Sequence, residues 1–279
     1  MKEEESGESP EKKVKVVRID NMNLITLLTD FGDYYPGVMK GVILKNSPHV
    51  HLVDITHSVE PQNVVQGAFL LLNSYRFFPP CIHVAVVDPG VGSKRMAVIV
   101  ECDHYTFIGP DNGILYPACS ESGMKRVWRI DEDKVTQYQG IDKISSTFHG
   151  RDIFAPASSY AVKGRIEEIG EEIGLEDMQH LDIFDHRVEG KEVSCRVLFI
   201  DRFGNAVTNL NTEVVEQLNP KVFNVGEQKF PLVDSYSDVE KGSPMSLIGS
   251  FDTLELSVRE GDASERFGIK SGWLKLGWS

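Results

Sequence analysis

Ile82-His83-Val84-Ala85-Val86-Val87 runs directly into Asp88-Pro89-Gly90-Val91-Gly92-Ser93-Lys94-Arg95. The first six residues are apolar apart from His83, the pattern of a strand buried on both faces of a parallel sheet. The glycines that follow invite a dinucleotide-binding reading, in which a helix opens there and meets a pyrophosphate with its N-terminus. The next segment, Met96–Val100, reads as a strand instead, and Lys94 lacks the spacing of a phosphate-loop lysine. The stretch therefore predicts an α/β sheet with neither a dinucleotide nor a phosphate-loop site.

The neighbouring segments extend that sheet in both directions. Upstream, Leu24–Leu28 reads as a buried strand ending in Thr29-Asp30-Phe31-Gly32-Asp33, and Val50–Ile55 as a second strand. Gly37–Leu44 and Val64–Tyr75 carry apolar residues at helical spacing. Downstream, Met96–Val100 and Tyr105–Ile108 read as paired strands, and Asp152–Val162 as a helix with Asp152 placed to cap it. Alternating strands and helices are the grammar of an α/β domain. After Gly164 the composition shifts, and Arg165–His186 is acidic and punctuated. Short runs follow at Val193–Ile200, Ala206–Leu210, Lys221–Val225, Met245–Ile248 and Leu254–Val258, with Gly, Asn, Asp and Pro in the turns. That spacing predicts a mostly antiparallel β domain. The expected organisation is a disordered acidic tail over 1–20, an α/β domain over 21–175, a linker over 176–190 and a β domain over 191–279. Within the tail, Val14–Ile19 is the one stretch with the pattern of a short edge strand.

Composition excludes several classes of function. The 279 residues are 41% hydrophobic and 25% charged, ordinary for a soluble protein with a real core. Lys and Arg number 29 against 42 Asp and Glu, a net charge of −13, so a phosphate backbone finds no basic surface. No apolar run reaches the roughly 18 residues of a membrane span. Met1-Lys2-Glu3-Glu4-Glu5 lacks the apolar core of a signal peptide. Cys81, Cys102, Cys119 and Cys195 form no Cys-x-x-Cys pair, so they read as reduced thiols in a cytoplasmic protein and not as a zinc site. His49 and His51 share a strand face but lack a carboxylate pattern that would make them metal ligands. Asp30-Phe31-Gly32 spells a kinase tripeptide with no room upstream for the glycine-rich loop that must precede it.

Polar residues gather at the carboxyl ends of the expected strands, where open α/β sheets bind ligands. They are Asp30; Asp54, Thr56 and His57; Asp88; Asp111 and Asn112; and His149 with Arg151. Singly, each has a plain structural reading, since Asp beside Pro or Gly is a common turn residue. An Asp, an Arg and a His converging on one cleft would polarise a water or an imidazole and stabilise its ionised partner. In the second domain, Asp201-Arg202-Phe203-Gly204-Asn205 reads equally as an ordinary β-turn and as a ligand loop. In the latter, Asp meets an ammonium, Phe stacks on a base and Asn reads a base edge.

Taken in series, seven segments carry a resemblance: Leu28-Thr29-Asp30-Phe31-Gly32, Asp54-Ile55-Thr56-His57, Asp88-Pro89-Gly90-Val91-Gly92, Gly109-Pro110-Asp111-Asn112-Gly113, Thr147-Phe148-His149-Gly150-Arg151-Asp152, Asp201-Arg202-Phe203-Gly204-Asn205 and Leu254-Glu255-Leu256. Together they resemble the S-adenosyl-L-methionine (SAM) hydroxide adenosyltransferases, the adenosine-forming SAM hydrolases related to fluorinase and chlorinase. The resemblance implies an N-terminal α/β sandwich-like domain with a mostly parallel sheet and a smaller C-terminal antiparallel β-barrel-like domain. It implies a homotrimer with its sites between neighbouring subunits. It assigns Asp88, Arg95 and His149 to catalysis and Asp30 to the ribose. It assigns Asp201 to the methionine amino group, Phe203 and Asn205 to the adenine, and Ser250 to the methionine carboxylate. Backbone near Val258 and Glu260 would meet the adenine edge. SAM is then the substrate, adenosine and methionine are the products, and no cofactor, metal, nucleic acid or membrane is involved. The related halogenases carry a longer insert where only Glu101–His104 lies here, and they lack the His-Gly-Arg-Asp run and the Asp of Asp-Pro-Gly-Val-Gly. The hydroxide branch is therefore favoured over a halide-using adenosyltransferase or a SAM- or nucleoside-binding module without chemistry.

Overall fold

Adjacent residues of a strand point to opposite faces of its sheet, and in this chain both faces are apolar. Ile25, Leu27, Ile82, Val84 and Val86 fall in one core, whereas Leu28, Ala85 and Val87 fall in another. Such strands need cover on both sides, and helices supply it. The computed structural model describes residues 23–139 and 143–279. The expected tail and its Val14–Ile19 strand lie outside the described residues.

The first sheet is built from β1 (Leu24–Thr29), β2 (His51–Thr56), β3 (Ile82–Val86), β4 (Ala97–Cys102), β5 (Thr106–Pro110), β6 (Met124–Ile130) and β7 (Gly170–Ile173). Its order is β2-β1-β3-β5-β4-β6-β7. β2, β1, β3 and β5 are mutually parallel, while β4, β6 and β7 each pair antiparallel. Five strands thus run one way, and β4 and β7 the other. α1 (Tyr35–Asn46) and α5 (Ala155–Val162) pack Met39, Ile43 and Ala157 on one face. α2 (Val64–Ser74) and α3 (Tyr116–Glu121) pack Phe69, Leu71 and Ala118 on the other. α4 (Glu132–Gln139) follows β6.

The second sheet contains β8 (Arg187–Glu189), β9 (Glu192–Ile200), β10 (Ala206–Asn211), β11 (Val222–Val225), β12 (Gln228–Pro231), β13 (Pro244–Ile248), β14 (Thr253–Val258) and β15 (Gly272–Trp278). The antiparallel path β12-β11-β15-β9-β10-β14-β13 is nearly closed by a bridge between Leu232 and Ser246, and β8 pairs with β9. α6 (Thr212–Leu218) and α7 (Ala263–Phe267) are short connectors. Val193, Cys195, Phe223, Phe230, Leu254 and Leu276 fill the interior. The expected architecture, α/β followed by an antiparallel barrel-like domain, is the one observed.

The two domains share apolar surface. Phe69 of α2 meets Phe199 and Phe251 with ring centroids 6.3 and 5.4 Å apart, and Leu198 and Val207 join the N-terminal core. Asn209 donates to the carbonyls of Ile183 and Asp185, tying the connecting segment down.

One local expectation is corrected. Asp152 does not cap a helix. It lies inside a π-helical turn, Gly150–Phe154, that precedes α5. Its carboxylate accepts the Ser145 N–H at 2.8 Å and pairs with Arg151.

Candidate functional site

β3 delivers Asp88 to the carboxyl end of the sheet, and the loop behind it must then turn back before β4 begins. Val91 N–H bonds to the Asp88 carbonyl and Ser93 N–H to that of Gly90. Gly92 has φ +75°, and a Cβ there would lie 2.6 Å from the Ser146 carbonyl oxygen, so only glycine fits. The reversal returns Arg95 to Asp88. Its Nε lies 3.0 Å from both carboxylate oxygens, and Nη2 lies 2.5 Å from Oδ2. The same Nη2 is 2.7 Å from Nδ1 of His149, at the start of the π-helical turn. The Arg95 guanidinium also packs 5.3 Å from the Phe154 ring. The three residues expected to cooperate are therefore brought together.

Their protonation follows from donor arithmetic. A guanidinium has only donors, so Nδ1 of His149 must accept, which leaves the proton on Nε2. His149 is buried. Burial first, then the positive charge of Arg95, holds its pKa below the ordinary value. Asp88 and Arg95 side chains are 4% and 10% exposed, so this ion pair is largely removed from water. A pair buried at that depth is costly to break, because removing one partner strands the other's charge.

Asp30 follows β1 on the same edge of the sheet. Its Oδ2 accepts the Gln62 N–H at 2.8 Å. Gln62 holds φ +66°, a conformation costing about 1–3 kcal/mol that persists where the surroundings impose it. Behind Asp30, Thr29 Oγ1 accepts from Phe31 N–H and lies 2.9 Å from His57 Nδ1. His57 Nε2 in turn lies 3.0 Å from Asp54. Thr56 accepts the Ser58 N–H through Oγ1. Asn112 braces the end of β3 by donating to the Val87 carbonyl, and Asp111 accepts the Gln179 N–H. Arg151 is turned to Asp152 and away from the Asp88 cluster's hydrogen bonds. Among the described residues no group of His, Cys, Asp and Glu has the arrangement of a metal site, His49 and His51 included.

The C-terminal candidates gather elsewhere. Asp201 closes the β9–β10 turn, with Oδ1 accepting the N–H groups of Phe203 and Asn205 and Oδ2 accepting Asn205 Nδ2 at 2.9 Å. The turn reading is correct, and the same residues also face a cavity. Asp201, Phe203, Asn205, Ser250, Val258 and Glu260 all line one hollow of about 920 Å³. Phe203 stands 77% exposed at its edge. Tyr236 and Glu255 line it too, and sequence reasoning missed both. The only signal for Glu255 was its place in Leu254-Glu255-Leu256. Asp30, Asp88, Arg95 and His149 do not line this cavity. One region thus presents buried, paired charge. The other presents a concave, partly apolar surface with carboxylates, suited to a ligand that is aromatic at one end and cationic at the other.

Comparison with known proteins adds the following. Residues 25–170 match the SAM hydroxide adenosyltransferase N-terminal domain, and residues 195–273 match the C-terminal domain. A protein of Methanocaldococcus jannaschii named (R)-S-adenosyl-L-methionine hydrolase is 35% identical over 269 residues, covering 91% of this chain and 95% of its own length. A fluorinase of Actinoplanes sp. is 24% identical over 287 residues, covering 89% and 95%. A solved structure of an uncharacterized conserved protein from Thermotoga maritima aligns with TM-score 0.78 at 31% identity, over 91% of this chain and 99% of the other.

Proposed function

Because this chain belongs to the SAM hydroxide adenosyltransferase family, we propose that it hydrolyses SAM to adenosine and L-methionine by attack of an activated water on C5′. It is an enzyme of the SAM-hydrolase kind. The observation that carries the finer reading is Arg95 held between Asp88 and His149.

In SAM the leaving sulfur is a sulfonium. As the water oxygen forms its bond to C5′, the C5′–S bond breaks and its electron pair returns to sulfur, giving neutral methionine thioether. No acid is needed for the leaving group; the proton to be removed is the water's. Oδ1 of Asp88 takes one guanidinium contact where Oδ2 takes two, so Oδ1 is the oxygen with room to accept that proton. His149 offers Nε2–H to orient the water. Arg95 stabilises the negative charge that develops on it, in a site with little water to reorganise. Asp30 would hold the ribose and Asp201 the methionine amino group, which aligns C5′ with the nucleophile. Phe203, Asn205, Ser250 and the backbone near Val258 and Glu260 complete the binding surface in this reading.

Three features support hydroxide over halide as nucleophile. The chain is 35% identical to a hydrolase and 24% to a fluorinase at similar coverage. β4 and β5 are joined by Asp103–Tyr105 alone, without an insert. Gly150 carries no hydroxyl and is closed in by Phe31, Met39 and Phe148. The separation of the Asp88 cluster from the C-terminal cavity supports a homotrimer in which each site takes its first half from one subunit and its second from a neighbour. Four buried cysteines without disulfides fit a cytoplasmic enzyme. No helix among the described residues is long and apolar enough to cross a membrane.

Product analysis tests the proposal. SAM incubated in oxygen-18 water should yield methionine with its methyl group intact and adenosine carrying the label on the 5′ oxygen. S-adenosylhomocysteine as the main product, or a 5′-halo-adenosine dominating in high chloride or fluoride, overturns it.

A further inference from the structure

Asp54, Thr56 and His57 mark the end of β2 and take no part in the chemistry proposed above, yet His57 stands directly behind Asp30. β1 and β2 run in register from Leu24 opposite His51 to Leu27 opposite Asp54; the register then shifts by one residue, and Leu28 pairs with Thr56. Such a shift re-aims the side chains beyond it and brings His57 level with Thr29. His57 Nδ1 lies 2.9 Å from Thr29 Oγ1, which also accepts the Phe31 N–H. The Gly32 N–H donates to the His57 carbonyl at 3.0 Å. Asp30 is therefore tied on both sides to one residue, through Thr29 before it and through Phe31 and Gly32 after it. Thr29 is fully buried and the His57 side chain is 13% exposed, so little water competes for these bonds.

Donor arithmetic gives the chain its direction. Thr29 Oγ1 accepts from Phe31, so its hydroxyl proton goes to His57, and Nδ1 accepts it. The ring proton then sits on Nε2, which faces Asp54 Oδ1 at 3.0 Å without the alignment of a hydrogen bond. Asp54 is held in turn by Lys40 Nζ at 2.5 Å. The segment between β2 and α2 that begins with His57 also carries Gln62, whose N–H meets Asp30 Oδ2. Resting on the ribose assignment above, we propose that His57 is a positioning residue for ribose recognition, its link to Thr29 setting the Asp30 carboxylate where it meets the ribose hydroxyls. In this role His57 acts through Thr29 and not by touching substrate.

The test reads ribose recognition directly. Adenosine and 2′,3′-dideoxyadenosine differ only in the two hydroxyls that Asp30 would accept, and both are titrated into the intact enzyme by calorimetry. Wild-type enzyme should prefer adenosine by about tenfold or more, the size of a hydrogen bond to a charged group. His57→Gln carries its amide toward the Nε2 position and gives up the Thr29 bond. Its preference for adenosine should shrink to about threefold or less, and KM for SAM should rise by about the factor that adenosine affinity loses. His57→Asn puts its amide oxygen where Nδ1 was, keeps the Thr29 bond and should keep most of the preference. Inhibition by methionine, which the Asp201 side of the site would hold, should stay within about twofold in both variants, showing that the assembly is intact. A His57→Gln enzyme with the wild-type preference overturns the inference. So does an Asn variant no better than Gln, or an equal loss of adenosine, dideoxyadenosine and methionine, which would make His57 a residue of general stability. Wild-type enzyme that binds both nucleosides equally overturns the ribose assignment, and the inference with it.

Discussion

Asp88 and Asp201 each close a turn at the end of a strand, yet they do opposite things with their charge. Asp88 is buried against a guanidinium that also reaches an imidazole, so its environment is ionic and largely shielded from water. Asp201 is held by amide donors of its own turn and faces an open cavity. The first arrangement resists rearrangement, as a group must if it is to stabilise charge that exists only in a transition state. On the proposed reading, the second would accommodate the substrate and contribute to ground and transition states alike. The difference teaches that carboxylates of identical local grammar acquire their roles from their partners.

The sharpest way to break this contrast is Arg95→Ala. It should lower kcat about 10²- to 10⁴-fold with KM for SAM within a few-fold, in steady-state kinetics. A large KM change with kcat intact would make the cluster a binding element and erase the distinction.

Next in size is a mixing experiment. Asp88→Ala and Asp201→Ala assemblies should each be nearly inactive. Co-refolded at equal amounts, about a quarter of the interfaces would pair an intact first half with an intact second half, if sites form between neighbours in a closed ring. Activity should recover to about that fraction, with mass measured to confirm reassembly. Reassembled but inactive mixtures would place both regions' work in one subunit.

Gly92→Ala probes how the first region is held. The Ser146 carbonyl and the positive φ leave no room for a methyl, so the loop must shift Arg95 away from Asp88. Stability should fall by roughly 1–3 kcal/mol in thermal or urea unfolding, with turnover falling alongside it. An equally stable and active variant would mean the turn does not position Arg95.

The smallest expected effect is in pH. Burial and Arg95 depress the His149 pKa, so the neutral, Nε2–H form prevails at and above neutrality. Turnover should be level on the alkaline side of pH 7 as far as His149 is concerned, with its acid limb below the ordinary histidine value of about 6.5. Unfolded chain takes up this proton at higher pH than folded chain. The stability linked to His149 is therefore present above about pH 6.5 and lost as pH falls through the lowered folded pKa. His83, pushed down to about 3 by burial, adds a loss of the same sign spread over a wider acid window. A pH–rate profile and unfolding at pH 7 and pH 5 would check both. Turnover that falls as pH rises through the histidine range would mean that His149 works in its protonated form.

Much of the fold was legible because burial writes itself locally. Ile82–Val87 could only be a strand covered on both sides. The elements that escaped notice have weaker patterns. β6, Met124-Lys125-Arg126-Val127-Trp128-Arg129-Ile130, keeps three cationic side chains at exposed positions. β7 is Gly170-Glu171-Glu172-Ile173, hidden in an acidic stretch. Arg151 and Asp152 look like site residues beside His149, but their charges serve each other. Glu255 was passed over because a lone Glu between leucines reads as the outward residue of an alternating strand, whereas here both sides of β14 are covered.

By itself the sequence determined the strongly apolar strands, the loops at their carboxyl ends and the turn chemistry of Asp88–Arg95 and Asp201–Asn205, since each depends on residues only a few positions apart. The tertiary structure decided which of those polar residues meet. His149 reaches Arg95 across 54 positions. Glu255 meets Tyr236 across 19. Those encounters are set by strand order and by the packing of helices and turns on the sheets. Both are chosen by the global burial of apolar surface, and no local pattern in the chain encodes them.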